Sequence, residues 1–209
     1  MKKISVSFLN SEDDIEDLID LEATNVDYIH VDVMDGKFVK NKNFPFKTLD
    51  YMSYVLKKRL DVHLMVTKPI KYIEKYATLN TEFITIHVEL GEKIIKESFE
   101  LIKSYGIKCG LAINPDTDIS TLIPYLDSVD MILVMSVVPG LGGQSFIEES
   151  TERLKKVREM ITSKDIVINV DGGINEDTIS KVNDADIVVS GSYVINSDNF
   201  QERINILRK

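Results

Sequence analysis

Tyr28-Ile29-His30-Val31-Asp32-Val33-Met34-Asp35-Gly36 is a short apolar run interrupted by a histidine and an aspartate and stopped by Asp-Gly. In a strand, side chains two residues apart share a face, so His30 and Asp32 would project side by side from one strand end. An unpaired charge there is costly, whereas a metal ion or a proton-transfer site would use both groups. Asp35 does not fit that pairing cleanly and reads as loop support.

The same kind of run recurs along the chain. Before it lies a strand over 4–9, with Ser5 and Ser7 alternating against apolar neighbours. A helix then starts near Ser11, which can cap it, with Asp13 and Asp14 at the positive end of its dipole. After the opening strand (28–32) come a long loop through Phe44 and Pro45 and a helix over 48–58. Further strands fall at 60–65, 83–87, 107–113, 131–137, 166–170 and 187–190, each followed by a helical stretch. Pro69 opens one of these helices, and Gly106 ends another. The result is eight strand-then-helix units of about 26 residues. The strands are short and rich in Ile and Val, as parallel strands covered on both faces are. Regular alternation over eight units favours a closed barrel over an open doubly wound sheet, and no GxGxxG follows the first strand. The expectation is an α/β chain forming a single (β/α)8 TIM barrel domain over 1–209.

Of the 209 residues, 44% are hydrophobic, enough for a large core. The formal net charge is −9 and no basic block stands out, which argues against nucleic acid as a partner. The one cysteine, Cys109, lies in an apolar run and fits a reducing compartment. The first residues do not resemble a signal peptide, and no run approaches the about 18 apolar residues of a membrane helix. A cytoplasmic protein without membrane contact is expected.

The active site of such a barrel lies at the C-terminal strand ends, and the interrupting polar residues fall there: Ser7, His30, Asp32, His63, His87 and Asp171. His30, Asp32, His63 and Asp171 offer two nitrogens and two carboxylates. Zinc, iron, manganese and cobalt accept that mixture, and magnesium suits it less. One such divalent ion per subunit is expected. His87 reads either as a site residue or as a core histidine satisfied by a carbonyl. Gly142-Gly143, Gly172-Gly173 and Gly191-Ser192 follow the last three strands, where backbone N–H groups can approach a phosphate. Met34, Met65 and Met135 follow strands two, three and six. They serve either as core filler or as an apolar floor beside the polar cluster.

These stretches resemble the ribulose-phosphate 3-epimerase family. The resemblance is carried by 30–39, Asp61-Val62-His63-Leu64-Met65-Val66, His87-Val88-Glu89, 110–117, 134–146, Val170-Asp171-Gly172-Gly173-Ile174 and Val189-Ser190-Gly191-Ser192. It implies a TIM barrel of the ribulose-phosphate-binding type and a metal-dependent isomerase that interconverts D-ribulose 5-phosphate and D-xylulose 5-phosphate in the pentose phosphate pathway. It implies His30, Asp32, His63 and Asp171 as ligands, with Asp32 and Asp171 also the acid/base pair. Ser7, His63 and Asn114 would face the sugar, and Gly142, Gly143, Gly173, Gly191 and Ser192 the phosphate. Met34, Met65 and Met135 would lie beside the reacting carbons. The partner would be a small phosphorylated ketose, and the family often forms homo-oligomers. The chain departs from the family at Val6, at Asn10-Ser11-Glu12, at Lys40, and at Val138 and Leu141 of the sixth-strand loop. These positions shape the pocket rather than the metal or acid/base set. D-allulose-6-phosphate 3-epimerase shares most of the motifs. A phosphosugar aldolase or decarboxylase, an inactive phosphosugar-binding protein, and a flavin- or nicotinamide-dependent barrel are further readings.

Overall fold

A computed structural model describes residues 1–161 and 165–208. The first strand, β1 (Lys3–Ser7), pairs in parallel with both β2 (Tyr28–Asp35) and β9 (Ile187–Ser190). Between them run β4 (Arg59–Met65), β5 (Thr81–His87), β6 (Lys108–Ile113), β7 (Met131–Met135) and β8 (Val167–Asp171), each parallel to its neighbours. The sheet therefore closes into the expected eight-stranded barrel. A ninth strand, β3 (Lys42–Asn43), pairs antiparallel with Met34 and Asp35. β2 runs past Asp32, the end expected from sequence, because it pairs with β4 as far as Met34 and with β3 at Met34 and Asp35. A two-residue strand inside a polar loop has no periodicity to betray it.

Helices α1 (Asp14–Ala23), α2 (Phe46–Met52), α3 (Ile70–Ala77), α4 (Glu92–Ser104), α5 (Glu149–Met160), α6 (Ser192–Ile195) and α7 (Phe200–Leu207) lie between and after the strands, while β6 and β8 are followed by 3₁₀ turns at Ile119–Tyr125 and Ile179–Lys181. In α4 the buried residues Ile95, Ser98, Phe99 and Ile102 fall at helical spacing. Its end is set by Gly106, at φ 71°. Two expectations are corrected. Asp13, not Ser11, caps α1, accepting from the N–H groups of Ile15 and Glu16 at 3.1 and 3.2 Å. The helix expected over 48–58 ends at Met52. There Ser53 Oγ donates to the Asp50 carbonyl at 2.7 Å, and Val55 and Leu56 both turn back onto Met52 O.

Alternation along each strand separates two environments. Ile29, Val31 and Val33 of β2 join the large core between sheet and helices, so His30, Asp32 and Met34 face the barrel interior. That interior is layered, alternate strands supplying each layer. Tyr28, Phe83, Met131 and Ile187, from β2, β5, β7 and β9, form an apolar plug at the N-terminal end. Above it Ser5, Asp61 and Asn169, from β1, β4 and β8, form a buried polar layer. Above that stand the histidines, and then the carboxylates, at the C-terminal mouth. No helix among the described residues is long and apolar enough to cross a membrane.

Candidate metal centre

His30 and Asp32 rise from β2, His63 from the neighbouring β4, and Asp171 ends β8. His30 Nε2 lies 3.5 Å from Asp32 Oδ1 and 3.7 Å from Asp171 Oδ2. His63 Nδ1 lies 3.4 and 3.8 Å from the same two oxygens. All four ligand atoms fall within 4.8 Å of one another. Ligands about 2.0–2.1 Å from a cation and spread tetrahedrally are about 3.4 Å apart, so the set suits one divalent ion.

The histidine tautomers agree. Asp61 Oδ2 accepts from His30 Nδ1 at 2.9 Å and from Ser5 Oγ and Asn169 Nδ2, each at 3.1 Å. This holds His30 with Nε2 toward the carboxylates. His63 Nε2 is taken by His87 Nε2 at 2.8 Å, leaving Nδ1 toward them. Both inward nitrogens, His30 Nε2 and His63 Nδ1, are buried and have no hydrogen-bond partner among the described residues. Such atoms are costly unless something binds them. A cation at their convergence would satisfy both and offset the two carboxylates.

Protons partly fill that role in the protein alone. Burial works against charge on His30, but the carboxylates of Asp61 and Asp32 outweigh it and raise its pKa well above the ordinary value. Burial also opposes charge on Asp32, yet His30 and His63 hold it well below the usual carboxylate range. Asp171 is pushed up to about 7, chiefly by burial and then by the charges of Asp32 and Asp61, against the pull of His30. His63 is lowered by burial, against the pull of Asp32. The two aspartates thus differ in proton affinity, one held ionised and the other near neutrality.

A cavity of about 570 Å³ opens over the cluster. Asp32, Asp171, Ser7, Met34, Met65 and Met135 line its inner end, and residues 139–146, 172–175 and 191–193 its outer wall. Gly142, Gly143, Gly173, Gly191 and Ser192 therefore all face it. Gly173 has φ 66°, and a Cβ there would come 2.5 Å from the backbone nitrogen of Phe146, so no other residue fits the loop. No Lys, Arg or His lines the cavity among the described residues; its polar lining combines hydroxyls, amides and glycine backbone with the carboxylates of Asp32, Asp171, Glu148 and Asp177. Ser7 Oγ donates to Asp32 Oδ2 at 2.8 Å. Val138 and Leu141 are exposed on the loop beyond β7.

Asn114 does not line this cavity. Its N–H donates to Glu89 at 2.9 Å and its carbonyl accepts from Arg153 at 3.0 Å. Asp35 binds no cluster member. It accepts from the N–H groups of Lys37, Phe38 and Thr67 and from the Thr67 hydroxyl, tying two loops together. His87 is bonded to side chains, not to a backbone carbonyl. Asp61 and its partners Ser5 and Asn169 escaped the sequence reading. The signal was present: Asp61 precedes His63 by two residues and so shares its inward face.

The chain matches the Ribulose-phosphate 3 epimerase family over residues 3–195. It is 38% identical over 198 residues to the ribulose-phosphate 3-epimerase of Helicobacter pylori strain J99, covering 93% of this chain and 88% of that protein. To the ribulose-phosphate 3-epimerase of Buchnera aphidicola it is 41% identical over 200 residues, covering 92% and 87%. The crystal structure of KGPDC from Streptococcus mutans superposes with a TM-score of 0.74 at 13% identity, covering 100% of this chain and 96% of that one. For 3-hexulose-6-phosphate synthase from Salmonella typhimurium the TM-score is 0.70 at 15% identity, covering 98% and 96%. These two likenesses are of fold. The family match runs from β1 through α6 and takes in all four members of the cluster, and the chain belongs to the ribulose-phosphate 3-epimerase family.

Proposed function

We propose that the chain is a metal-dependent 3-epimerase that interconverts D-ribulose 5-phosphate and D-xylulose 5-phosphate through an enediolate. The observation that carries this reading is the convergence of two carboxylates with two unpartnered histidine nitrogens at the inner end of a cavity walled by glycine loops. Family membership supports the class of reaction. A divalent cation held by His30, Asp32, His63 and Asp171 (zinc, iron, manganese or cobalt) would supply a Lewis acid that stabilises negative charge on the oxygens beside the reacting carbon. Inverting a carbon by proton exchange takes one group to remove the proton and another to return it to the opposite face. Asp32 and Asp171 rise from strands separated by β1 and β9, which gives two directions of approach. Asp32, oriented by Ser7, and Asp171 would be the two proton carriers. Met34, Met65 and Met135 present an apolar surface beside them that limits water. Gly142, Gly143, Gly173, Gly191 and Ser192 would hold the phosphate, orienting the sugar from its unreactive end.

The test is a coupled assay on metal-reconstituted protein in deuterium oxide. Wild-type protein should epimerise D-ribulose 5-phosphate and incorporate deuterium at C3. Asp171→Asn should lower turnover about 10²–10⁴-fold while remaining folded. Full activity of that variant would remove the two-aspartate account. D-Allulose 6-phosphate, assayed in parallel, decides the sugar: a higher kcat/KM for it would replace the pentose assignment.

A further inference from the structure

Behind His63, away from the cavity, two more side chains continue the hydrogen bonding. His63 Nε2 lies 2.8 Å from His87 Nε2, and His87 Nδ1 lies 3.0 Å from Glu89 Oε2. The two histidine rings stack with centroids 5.0 Å apart, and Phe38 lies against His87 at 4.6 Å. The other oxygen of Glu89, Oε1, accepts from the Asn114 N–H at 2.9 Å and from Thr117 Oγ1 at 2.6 Å. Arg153 in turn donates to the carbonyls of Asn114 and Thr117 at 3.0 and 2.7 Å. Glu89 is therefore anchored independently of the ring it faces.

The protons along this line can be counted. Burial opposes charge on Glu89, but the donors His87, Thr117 and Asn114 outweigh it and bring the carboxyl down to about 2. A carboxylate only accepts, so His87 Nδ1 carries a hydrogen and donates it. With that hydrogen on Nδ1, the neutral ring of His87 bears its lone pair on Nε2, the atom that faces His63 Nε2 at 2.8 Å. His63 Nε2 must then donate to it. A neutral His63 protonated on Nε2 has its lone pair on Nδ1, the atom that faces Asp32 and Asp171 without a partner.

We propose that Glu89 and His87 are positioning residues for the metal centre: together they fix the tautomer and ring orientation of His63 so that Nδ1 presents a lone pair to the cation. This rests on the cation site proposed above. Groups of this kind behind a ligand histidine change metal affinity about 10–100-fold when altered.

Two measurements test it, with zinc as the probe. In zinc-loaded wild-type protein with 15N-labelled histidine, long-range proton–nitrogen correlations should show His87 protonated on Nδ1 and bare on Nε2, with His63 protonated on Nε2. A His87 protonated on Nε2 overturns the proposal without any variant. In chelator competition, Glu89→Gln offers His87 Nδ1 an amide N–H, which permits the reversed tautomer and places the His63 proton on Nδ1. Zinc affinity should fall about 10–100-fold with an unchanged circular dichroism spectrum. Thr117→Val removes only the loop contact of Glu89 and should leave zinc affinity unaltered. Zinc binding by Glu89→Gln equal to wild type, or an equal loss in Thr117→Val, would show that the relay does not position His63. Wild-type protein that binds no zinc overturns the cation site itself, and this proposal with it; tight wild-type binding with unaffected variants overturns only the relay.

Discussion

A carboxylate near the middle of a barrel, away from solvent and with three donors on one oxygen, is expensive to build and more expensive to break. Asp61 is fully buried, and His30, Ser5 and Asn169 all converge on its Oδ2. Asp61→Ala strands all three donors and leaves the imidazole of His30 without its outer partner. The expected cost is about 3–5 kcal/mol, the usual range for removing one member of a buried charged pair, read from urea denaturation of metal-free protein. Zinc affinity should fall as well, because His30 loses what orients Nε2. Asp35 gives a second expectation, this one in pH. Burial tends to raise its pKa, but the N–H groups of Phe38, Thr67 and Lys37 and the Thr67 hydroxyl bring it down to about 2, from an ordinary 3.8. A group depressed by folding stabilises above its unfolded pKa and loses that contribution as pH falls toward its folded one. Wild-type stability should therefore drop more steeply between pH 4 and 2 than that of Asp35→Asn. Urea midpoints taken across that window check this, and parallel curves would contradict it. At this scale the four members of the His30, Asp32, His63 and Asp171 cluster were legible because polar residues inside Ile- and Val-rich strands have few inexpensive explanations. Glu89 and Asn114 were harder to place, because each lies just past a strand end, where alternation no longer assigns a face.

Among the elements, the strands carried the fold in their own composition, and eight apolar runs at regular spacing leave little besides a closed parallel barrel. What escaped were features set by single hydrogen bonds: the cap on α1 moved from Ser11 to Asp13, α2 stopped where Ser53 bonds back to Asp50, and β3 formed by pairing with the end of β2. The loops of the cavity wall lie between these extremes, since glycine pairs advertise close approach without saying to what. Gly173 shows the constraint. Its φ of 66°, and the 2.5 Å approach to the backbone nitrogen of Phe146 that a Cβ there would make, set the loop after β8 close against the loop after β7. Gly173→Ala adds left-handed strain of about 1–2 kcal/mol and must push the two loops apart. KM for the phosphorylated ketose should rise more than kcat falls, because the displaced groups would bind the phosphate and not the reacting carbon. Steady-state kinetics on the variant, with zinc affinity measured alongside, separates a moved wall from a damaged centre. A loss confined to kcat would assign these loops to the chemistry instead.

Across the whole molecule the barrel interior runs from the apolar plug of Tyr28, Phe83, Met131 and Ile187, through the Asp61 layer, to the candidate metal cluster at the mouth. The proposed ligands come from β2, β4 and β8, so residues 30 and 171 meet across the place where the first and last barrel strands pair. A cation there would bridge the two ends of the sheet at its closure. The unfolded chain has no such preformed site, so binding energy becomes folding energy. Free metal at a hundred times its dissociation constant contributes about 2.7 kcal/mol. For a chain of this size that corresponds to a rise in melting temperature of about 5–11 °C. Calorimetry of chelator-treated and zinc-reconstituted protein should show this shift, growing with the logarithm of free zinc. In His63→Ala, with one nitrogen ligand gone, zinc should raise the melting temperature much less at the same concentration. A surface ion that merely screens the acidic chain would act alike on both proteins, so equal shifts in wild type and variant would place the stabilising ion elsewhere than between β2, β4 and β8.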